Sequence, residues 1–560
     1  MPLETPSRIV AELADRGYNV EREAVTLIAN TSDPAATLEV VVENAPDETL
    51  RITVDHVRSV TPSDPSVSTR TIPDQSGESE PRSPVETKGS DQESEPESNL
   101  ESDPESELVD TPEEESVIGN TPDRDTAPSR DHDQKRDHDR GHDHDRDSDH
   151  DRTERTNSAE RAIEIANDMT GRSTGTGEYA DFVRTFRDRY ERLSTLLGGR
   201  VNHRPASAIA DMQGGSDAAM IGLVNDVRST KSGHWLVELE DTTGTFPALI
   251  MKDKGIADFV DEILLDECLA IEGTLADDAG ILFADSIHFP DVPRTFQPSF
   301  ADRHVQAALI SDIHVGSQEF MREAWQSFSG WLHTAEAESI EYLLIAGDMV
   351  EGVGVYPDQD DELDIVDIYE QYEQFSEHLK EVPDDLEIVM IPGNHDAVRL
   401  AEPQPAFDEE LREIMSAHDS RIVSNPAAVS VENVSVLMYH GVSLDEVIAE
   451  LPAEKASYDE PHRAMYHLLK KRHVAPQFGG HTRVAPEKRD HLVIENVPEV
   501  FHTGHVHKLG WGKYHNVLAV NSGCWQAQTD FQRSVNIDPD AGFAPILDLD
   551  TLDMTVRKFS

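Results

Sequence analysis

The sequence predicts a multi-domain chain of the α/β class, and three observations carry that prediction. From about residue 300 onward, short apolar runs alternate with helical segments, as in a layered sheet flanked by helices. Ahead of it, residues 201–295 hold five short apolar strands separated by turn residues. At 560 residues the chain also exceeds what one hydrophobic core supports.

Residues 1–58 read as a small helical docking module. Ile9, Val10, Leu13 and Ala14 follow helical spacing, and Val25, Leu27 and Ile28 continue it in a second segment. Thr31-Ser32-Asp33-Pro34 then makes a helix start with proline just inside it. Over 59–157 Pro, Ser, Glu and Asp dominate, and no aromatic residue occurs between Tyr18 and Tyr179. Such a segment buries too little apolar surface to offset its chain entropy and is expected to be a disordered acidic linker. Its run DHDQKRDHDRGHDHDRDSDHDR contains five histidines and is expected to be solvated low complexity, not a metal site. Residues 158–200 are expected to form a helical connector, with Phe182, Phe186, Tyr190, Leu193 and Leu197 on one face.

The five strands of 201–295 are AMIGLVNDV, HWLVELED, TFPALIM, CLAIEGTL and ILFADSIHF, with a helix-like piece at Gly255–Leu264 between the third and fourth. That is the order of an OB barrel. OB folds often bind single strands, and Trp235, Phe246 and Phe283 are candidates to stack on bases. Little basic sequence is interleaved with them, which favours a place in the barrel core or a protein-docking face.

The chain carries 110 acidic residues against 48 Lys plus Arg, a formal net charge of -62. In dilute buffer such a surface repels phosphates. At about 1 M salt the screening length falls to roughly 3 Å, and the repulsion fades. The balance is read as that of a halophile, so charge does not exclude DNA as a partner. Two cysteines, Cys268 and Cys524, are too few and too far apart for a disulfide framework. No stretch approaches the ~18 apolar residues of a membrane span, and a soluble, cytoplasmic protein is expected.

Chemistry gathers in residues 300–560. HVQAALISDIHVG delivers Asp312 and His314, YLLIAGDMVEG delivers Asp348, and LEIVMIPGNHD delivers Asn394 and His395. VSVLMYHG delivers His440, and EVFHTGHVH delivers His505 and His507. Each side chain follows an expected strand, where loops hold residues on a rigid scaffold. Carboxylate, imidazole and amide oxygen suit divalent metals when no thiolate is on offer. Two ions bridged by one carboxylate, about 3.5–4 Å apart, hold a phosphodiester and activate a water. Gly316, Gly347, Gly393, Gly441 and Gly504 are expected to give the loops backbone angles that bulkier residues resist. A lone Gly-Asp or His is commonly structural; five motifs in order are not.

The series D-x-H, G-D, G-N-H-D, H-G, G-H-x-H resembles the calcineurin-like metallophosphoesterase superfamily, including its repair nucleases. That resemblance implies a β-sandwich flanked by helices over 300–560. It implies one metal held by Asp312, His314, Asp348 and His507, and a second held by Asp348, Asn394, His440 and His505. His395 would be a general acid, and Asp396 would orient it from behind. The layout, with GNHDAVRLAEPQP, GGHTRVAPEKRDHLVIENVPEVFHTGHVH and VNSGCWQAQTDFQ, resembles the small subunits of archaeal family D DNA polymerases. That family implies a 3′-to-5′ exonuclease acting on single-stranded or mismatched ends. It also implies a large catalytic subunit as partner, in a heterodimer or larger assembly, with DNA as substrate. The cofactor would be two divalent ions, best Mn²⁺, with Mg²⁺, Fe or Zn as alternatives. Two rival readings remain at this point: a catalytically silent scaffold, and a phosphatase or phosphodiesterase on the same fold.

Overall fold

The computed structural model describes residues 19–20, 22–29, 31, 34–44, 51–52, 56–58 and 161–560, the last without 174–176, 357–358, 417–419 and 535. The helix expected around 9–14 and the linker expected over 59–157 lie outside the described residues. Two compact units are distinguished, Met1–Glu154 and Arg155–Ser560.

In the first unit β1 (Asn19–Val20) pairs in parallel with β2 (Arg51–Ile52). Helices run over Arg22–Ala29 and Pro34–Asn44. Pro34 opens the second, where its fixed φ suits a helix and its missing N–H costs nothing. Ala24, Val25, Ile28 and Leu38 are buried.

The second unit opens with a departure from the helical connector. Ile163–Ile165 is a strand, β3, and the helix begins only at Tyr179, running to Gly198. Ile-Glu-Ile has a period of two, so both isoleucines pack on one core while Glu164 is exposed. A closed barrel follows, made of β4 (Asp217–Ser229), β5 (Trp235–Asp241), β6 (Gly244–Ile250), β7 (Cys268–Leu275) and β8 (Leu282–His288) in the order β4-β5-β6-β8-β7. The helical piece between β6 and β7 is a 3₁₀ helix, Gly255–Glu262. Phe246 is buried in the barrel core and Trp235 packs partly against it, whereas Phe283 is 39 % exposed.

Two six-stranded sheets make up the rest. The first contains β9 (Gln306–Ile310), β10 (Ile340–Ala346), β11 (Glu387–Ile391), β12 (Arg421–Ile422), β18 (Phe543–Asp548) and β19 (Asp553–Lys558). Its order is β12-β11-β10-β9-β18-β19, with β9 to β12 parallel. The second contains β3 with β13 (Ala427–Val431), β14 (Val434–Met438), β15 (Val500–Thr503), β16 (Leu509–Tyr514) and β17 (Val517–Ser522), in the order β16-β17-β15-β14-β13-β3. Within it β14, β15 and β17 are parallel.

Side-chain alternation stacks these sheets face to face. Leu309, Leu344, Val436 and Val500 fill the space between them. Ile310, Leu343 and Ile345 face the other way, against Trp325, Phe328, Tyr372 and Phe375 from helices Arg322–Leu332 and Ile368–Leu379. On the far side Leu437, Tyr439 and Phe501 meet Leu468 of helix Pro461–Lys471. Strands covered on both faces read as unbroken apolar runs, which is why LEIVMI and YLLIA show no polar alternation.

Buried charge joins the barrel to the sheets. Arg189 is fully buried, with Nε 2.7 Å from Asp490 Oδ2, and His473 Nε2 lies 3.0 Å from the same oxygen. Burial would raise the Asp490 carboxyl, but Arg189 and His473 outweigh it and hold it well below the usual carboxylate range. Glu267, at the start of β7, meets Lys471 at 2.9 Å with both side chains fully buried. Removing one partner of such a pair strands the other charge and costs about 3–5 kcal/mol. Lys471→Ala should therefore lower stability by about that amount in denaturant unfolding. The double variant Glu267→Leu/Lys471→Met should recover most of the loss, and an equal loss in both variants would contradict this account.

Candidate metal centre

The parallel strands of both sheets deliver their C-terminal ends to one place. Asp312 and His314 follow β9, Asp348 follows β10 and Asn394 follows β11. His440 follows β14, and His505 and His507 follow β15. The turns are tight enough to push five of these seven residues into left-handed backbone: Asp312, His314, Asp348, His505 and His507, with φ between 51° and 71°. Non-glycine residues hold that conformation only where the surroundings impose it, and such residues cluster at functional sites.

Glycines act here in two ways. Gly347 has φ +93°, as expected of a turn residue. Gly393 and Gly504 depart from that expectation, with φ outside the left-handed region, and serve close approach instead. A Cβ on Gly393 would collide with Asp348 Oδ1, and one on Gly504 with Asp312 Oδ2. Both carboxylates are thereby held against main chain. His395 N donates to Asp348 Oδ1 at 2.9 Å, and His505 N donates to Asp312 Oδ2 at 2.9 Å.

The side chains converge in two groups. In the first, His314 Nε2 and His507 Nε2 lie 3.0 Å apart, and Asp312 Oδ1 is 3.4 Å from His507 Nε2. In the second, His440 Nε2 is 3.1 Å from Asp348 Oδ2 and 2.9 Å from Asn394 Oδ1. Asp348 Oδ2 also lies 3.8 Å from His314 Nε2, so one carboxylate faces both groups. Donor atoms of Asp312, His314 and His507 fall within 4.8 Å of one another, as do those of Asp348, His440 and His505. All seven expected ligands are brought together.

Each imidazole is anchored from behind. His440 Nδ1 is 2.9 Å from the Ala346 carbonyl, His314 Nδ1 is 2.8 Å from Glu351 Oε2, and His507 Nδ1 is 2.8 Å from the Gln532 amide. Those anchors turn the Nε2 atoms inward. His505 is the reverse case, with Nε2 held by Asp445 Oδ2 at 2.9 Å. Such outer partners fix ring orientation; the carbonyl and carboxylate partners also set the tautomer of His440, His314 and His505, whereas the Gln532 amide nitrogen donates to His507 Nδ1. Glu351, Asp445 and Gln532 were not singled out in the sequence. Glu351, three residues after Asp348 within GDMVEG, had a signal; the other two had none before folding.

One expectation is corrected. Asp396 does not touch the His395 ring. Its Oδ2 accepts from Gly393 N at 2.8 Å and its Oδ1 from the Tyr372 hydroxyl at 2.9 Å, so it braces the turn. The His395 ring is held by the Glu351 main-chain carbonyl, 2.7 Å from Nδ1. A residue adjacent in the turn points away from its neighbour's ring, whereas the loop after Asp348 brings the Glu351 carbonyl back to it.

The field at the centre calls for positive charge. Burial lowers the His314 and His440 imidazoles, but Glu351 acting on the first and Asp348 on the second outweigh it, pushing them up to about 9 and about 10. Burial raises Asp348, yet His440 and its neighbours hold it well below the usual range. Buried carboxylates so placed, with inward imidazole nitrogens and an amide oxygen, make a donor set suited to hard or borderline divalent cations.

The family model for the B-subunits of DNA polymerases alpha and epsilon matches residues 307–508. The DNA polymerase II small subunit of Halobacterium salinarum is 60 % identical over the full length of both chains. This chain belongs to the family of archaeal DNA polymerase II small subunits. The DNA polymerase II small subunit of Archaeoglobus fulgidus is 41 % identical over 68 % of this chain and 78 % of its own. That of Pyrococcus furiosus is 42 % identical over 59 % of this chain and 55 % of its own. Membership of that family makes the chain one component of a DNA polymerase complex. Among the described residues no helix is long and apolar enough to cross a membrane.

Gly504→Ala should set a methyl group against Asp312 and displace its carboxylate. The fold should persist by circular dichroism, while Mn²⁺ affinity measured by calorimetry falls about 10- to 100-fold. Unchanged affinity would contradict the role given to this close approach.

Proposed function

We propose that this polymerase subunit is itself a two-metal 3′-to-5′ exonuclease that removes mismatched ends, working with a large catalytic subunit that performs synthesis. The observation that carries the reading is the pairing of two donor groups around the shared carboxylate of Asp348. A silent scaffold has no need to keep seven converging ligands, or to hold five residues in strained backbone. On this reading residues 300–560 are a calcineurin-like phosphoesterase domain, residues 201–295 an OB domain, and residues 1–58 a docking module.

The fit to divalent ions rests on chemistry present in the fold. Asp312, His314, Asp348 and His507 would hold one ion, and Asp348, Asn394, His440 and His505 the other, with Mn²⁺ the best match for oxygen and nitrogen donors. Bound there, such a pair would supply Lewis-acid charge to the phosphate and lower the pKa of an attacking water.

The protein's own groups do the rest. A carbonyl accepts only, so His395 must donate from Nδ1 to Glu351. That leaves Nε2 free for substrate in a cavity of about 160 Å³ shared with His314, Asp348, His505 and His507. In the doubly protonated ring Nε2–H is thus placed to steady the phosphate and to pass its proton to the departing oxygen, while Nδ1–H stays bonded to Glu351. Asp445 and Gln532 keep His505 and His507 from turning away as the phosphate enters. Gln526 and Thr529 add neutral polar side chains to a cavity that the Glu351 and Asp445 carboxylates also line.

Two variants separate these roles. Asp348→Ala should abolish both Mn²⁺ binding and release of nucleotides from a labelled single strand. His395→Ala should keep the metal and its pairing with the large subunit while excision slows about 10²- to 10⁴-fold. A reconstituted polymerase carrying His395→Ala should extend primers normally yet leave a mismatched 3′ end in place. Wild-type excision by that complex would assign proofreading elsewhere and make this domain a scaffold.

A further inference from the structure

Phe531 is an apolar ring left in solvent beside the metal centre. It sits in the helical turn Asp530–Ser534, is 54 % exposed, and lines the same cavity as His314, His395 and His507. Tyr356 lines that cavity too, its ring stacked on Phe531 with centroids 5.9 Å apart and planes 26° from parallel. The Tyr356 hydroxyl lies 3.1 Å from both Glu351 Oε1 and Glu362 Oε2 and donates its one hydrogen to either, which holds the ring in place. From Tyr356 to His395 is 6.3 Å between ring centroids, and from His395 to His314 is 4.8 Å. An unbroken file of rings thus runs from the donor cluster out to solvent.

We propose that Tyr356 and Phe531 are a stacking wall for a nucleobase flanking the scissile phosphate, so that this centre selects unpaired DNA. The inference rests on the exonuclease reading and adds the residues that would recognise an unpaired end. A stacked base is the occupant that matches the wall's aromatic composition and its place in the same cavity as the donor cluster. The π face of a base is available whatever the sequence, and stacking on aromatic side chains supplies affinity without charge. That matters in a chain with 110 acidic and 48 basic residues, where attraction of the DNA backbone by Lys and Arg is scarce. Bases within a duplex are already stacked and paired, so only an unpaired or frayed end offers a free face. Specificity for single strands then arises from the wall and not from the metal cluster.

The test is equilibrium binding by the full chain, followed by fluorescence anisotropy. The probe is an oligothymidylate whose terminal linkage is a non-cleavable methylenephosphonate, compared with the same strand lacking the two bases that flank that linkage. Base removal should weaken wild-type binding roughly tenfold. Phe531→Ala should weaken binding of the base-bearing strand by a similar factor and be indifferent to base removal, while Phe531→Trp restores the dependence. Binding by Phe531→Ala as tight as wild type, or equal losses on both strands, overturns the wall. Cleavage of an ordinary strand without base dependence would remove this inference and leave the phosphodiesterase reading intact. Base-dependent binding without any cleavage would remove that reading and leave the wall standing.

Discussion

Two carboxylates, Asp312 and Asp348, are buried where the ends of two sheets meet, and everything around them answers to that charge. An ionised carboxylate taken out of water is costly unless it is paired and hydrogen-bonded. Here main-chain N–H groups of residues 395 and 505 supply part of the compensation, and imidazoles supply more. The strained turns, the glycines pressed against carboxylate oxygens and the anchored rings are what such a cluster demands of its scaffold. Parallel strands in both sheets satisfy the demand because their C-terminal ends all point one way, so the loops that follow β9, β10, β11, β14 and β15 share one rim.

Much of this was legible in the chain. The barrel strands stood out because a half-buried five-stranded barrel leaves short apolar runs between turn residues, as at Lys231-Ser232-Gly233. Asp312, His314, Asp348, Asn394, His440, His505 and His507 stood out because carboxylate, amide and imidazole side chains sit at fixed offsets beyond apolar strands. Ile163–Ile165 was missed because three residues are too few to outvote the helical pattern that follows them. Asp445 and Gln532 were invisible for a different reason. Their roles depend on helices packing across the centre, and a lone Asp or Gln on a helix has no local mark. Asp396 shows the converse error, since adjacency to His395 in sequence suggested a contact that the turn prevents.

The junction between barrel and sheets follows another logic. Arg189, Asp490 and His473 on one side, and Glu267 with Lys471 on the other, are fully or almost fully buried and mutually paired. Such pairs contribute little net stability, because desolvation offsets attraction. Their geometry is exacting, however, and a misplaced barrel would strand several charges at once. Orientation of the barrel is thus set by directional contacts, while apolar contacts such as those of Leu193 and Val493 supply adhesion.

The pairing of β3 with β13 means that the barrel is an excursion from the sandwich, not a domain strung ahead of it. The chain first lays down an edge strand of the second sheet, leaves through the helix at 179–198 and the barrel, and returns as β9. An insert fastened at both ends swings far less than a bead on one tether. The same thread also caps the open edge of β13, whose main-chain groups would otherwise offer a template for pairing between molecules. A fragment cut to begin at the barrel would therefore carry every side chain of the candidate metal centre and yet be prone to self-association along a seam that the intact chain keeps closed.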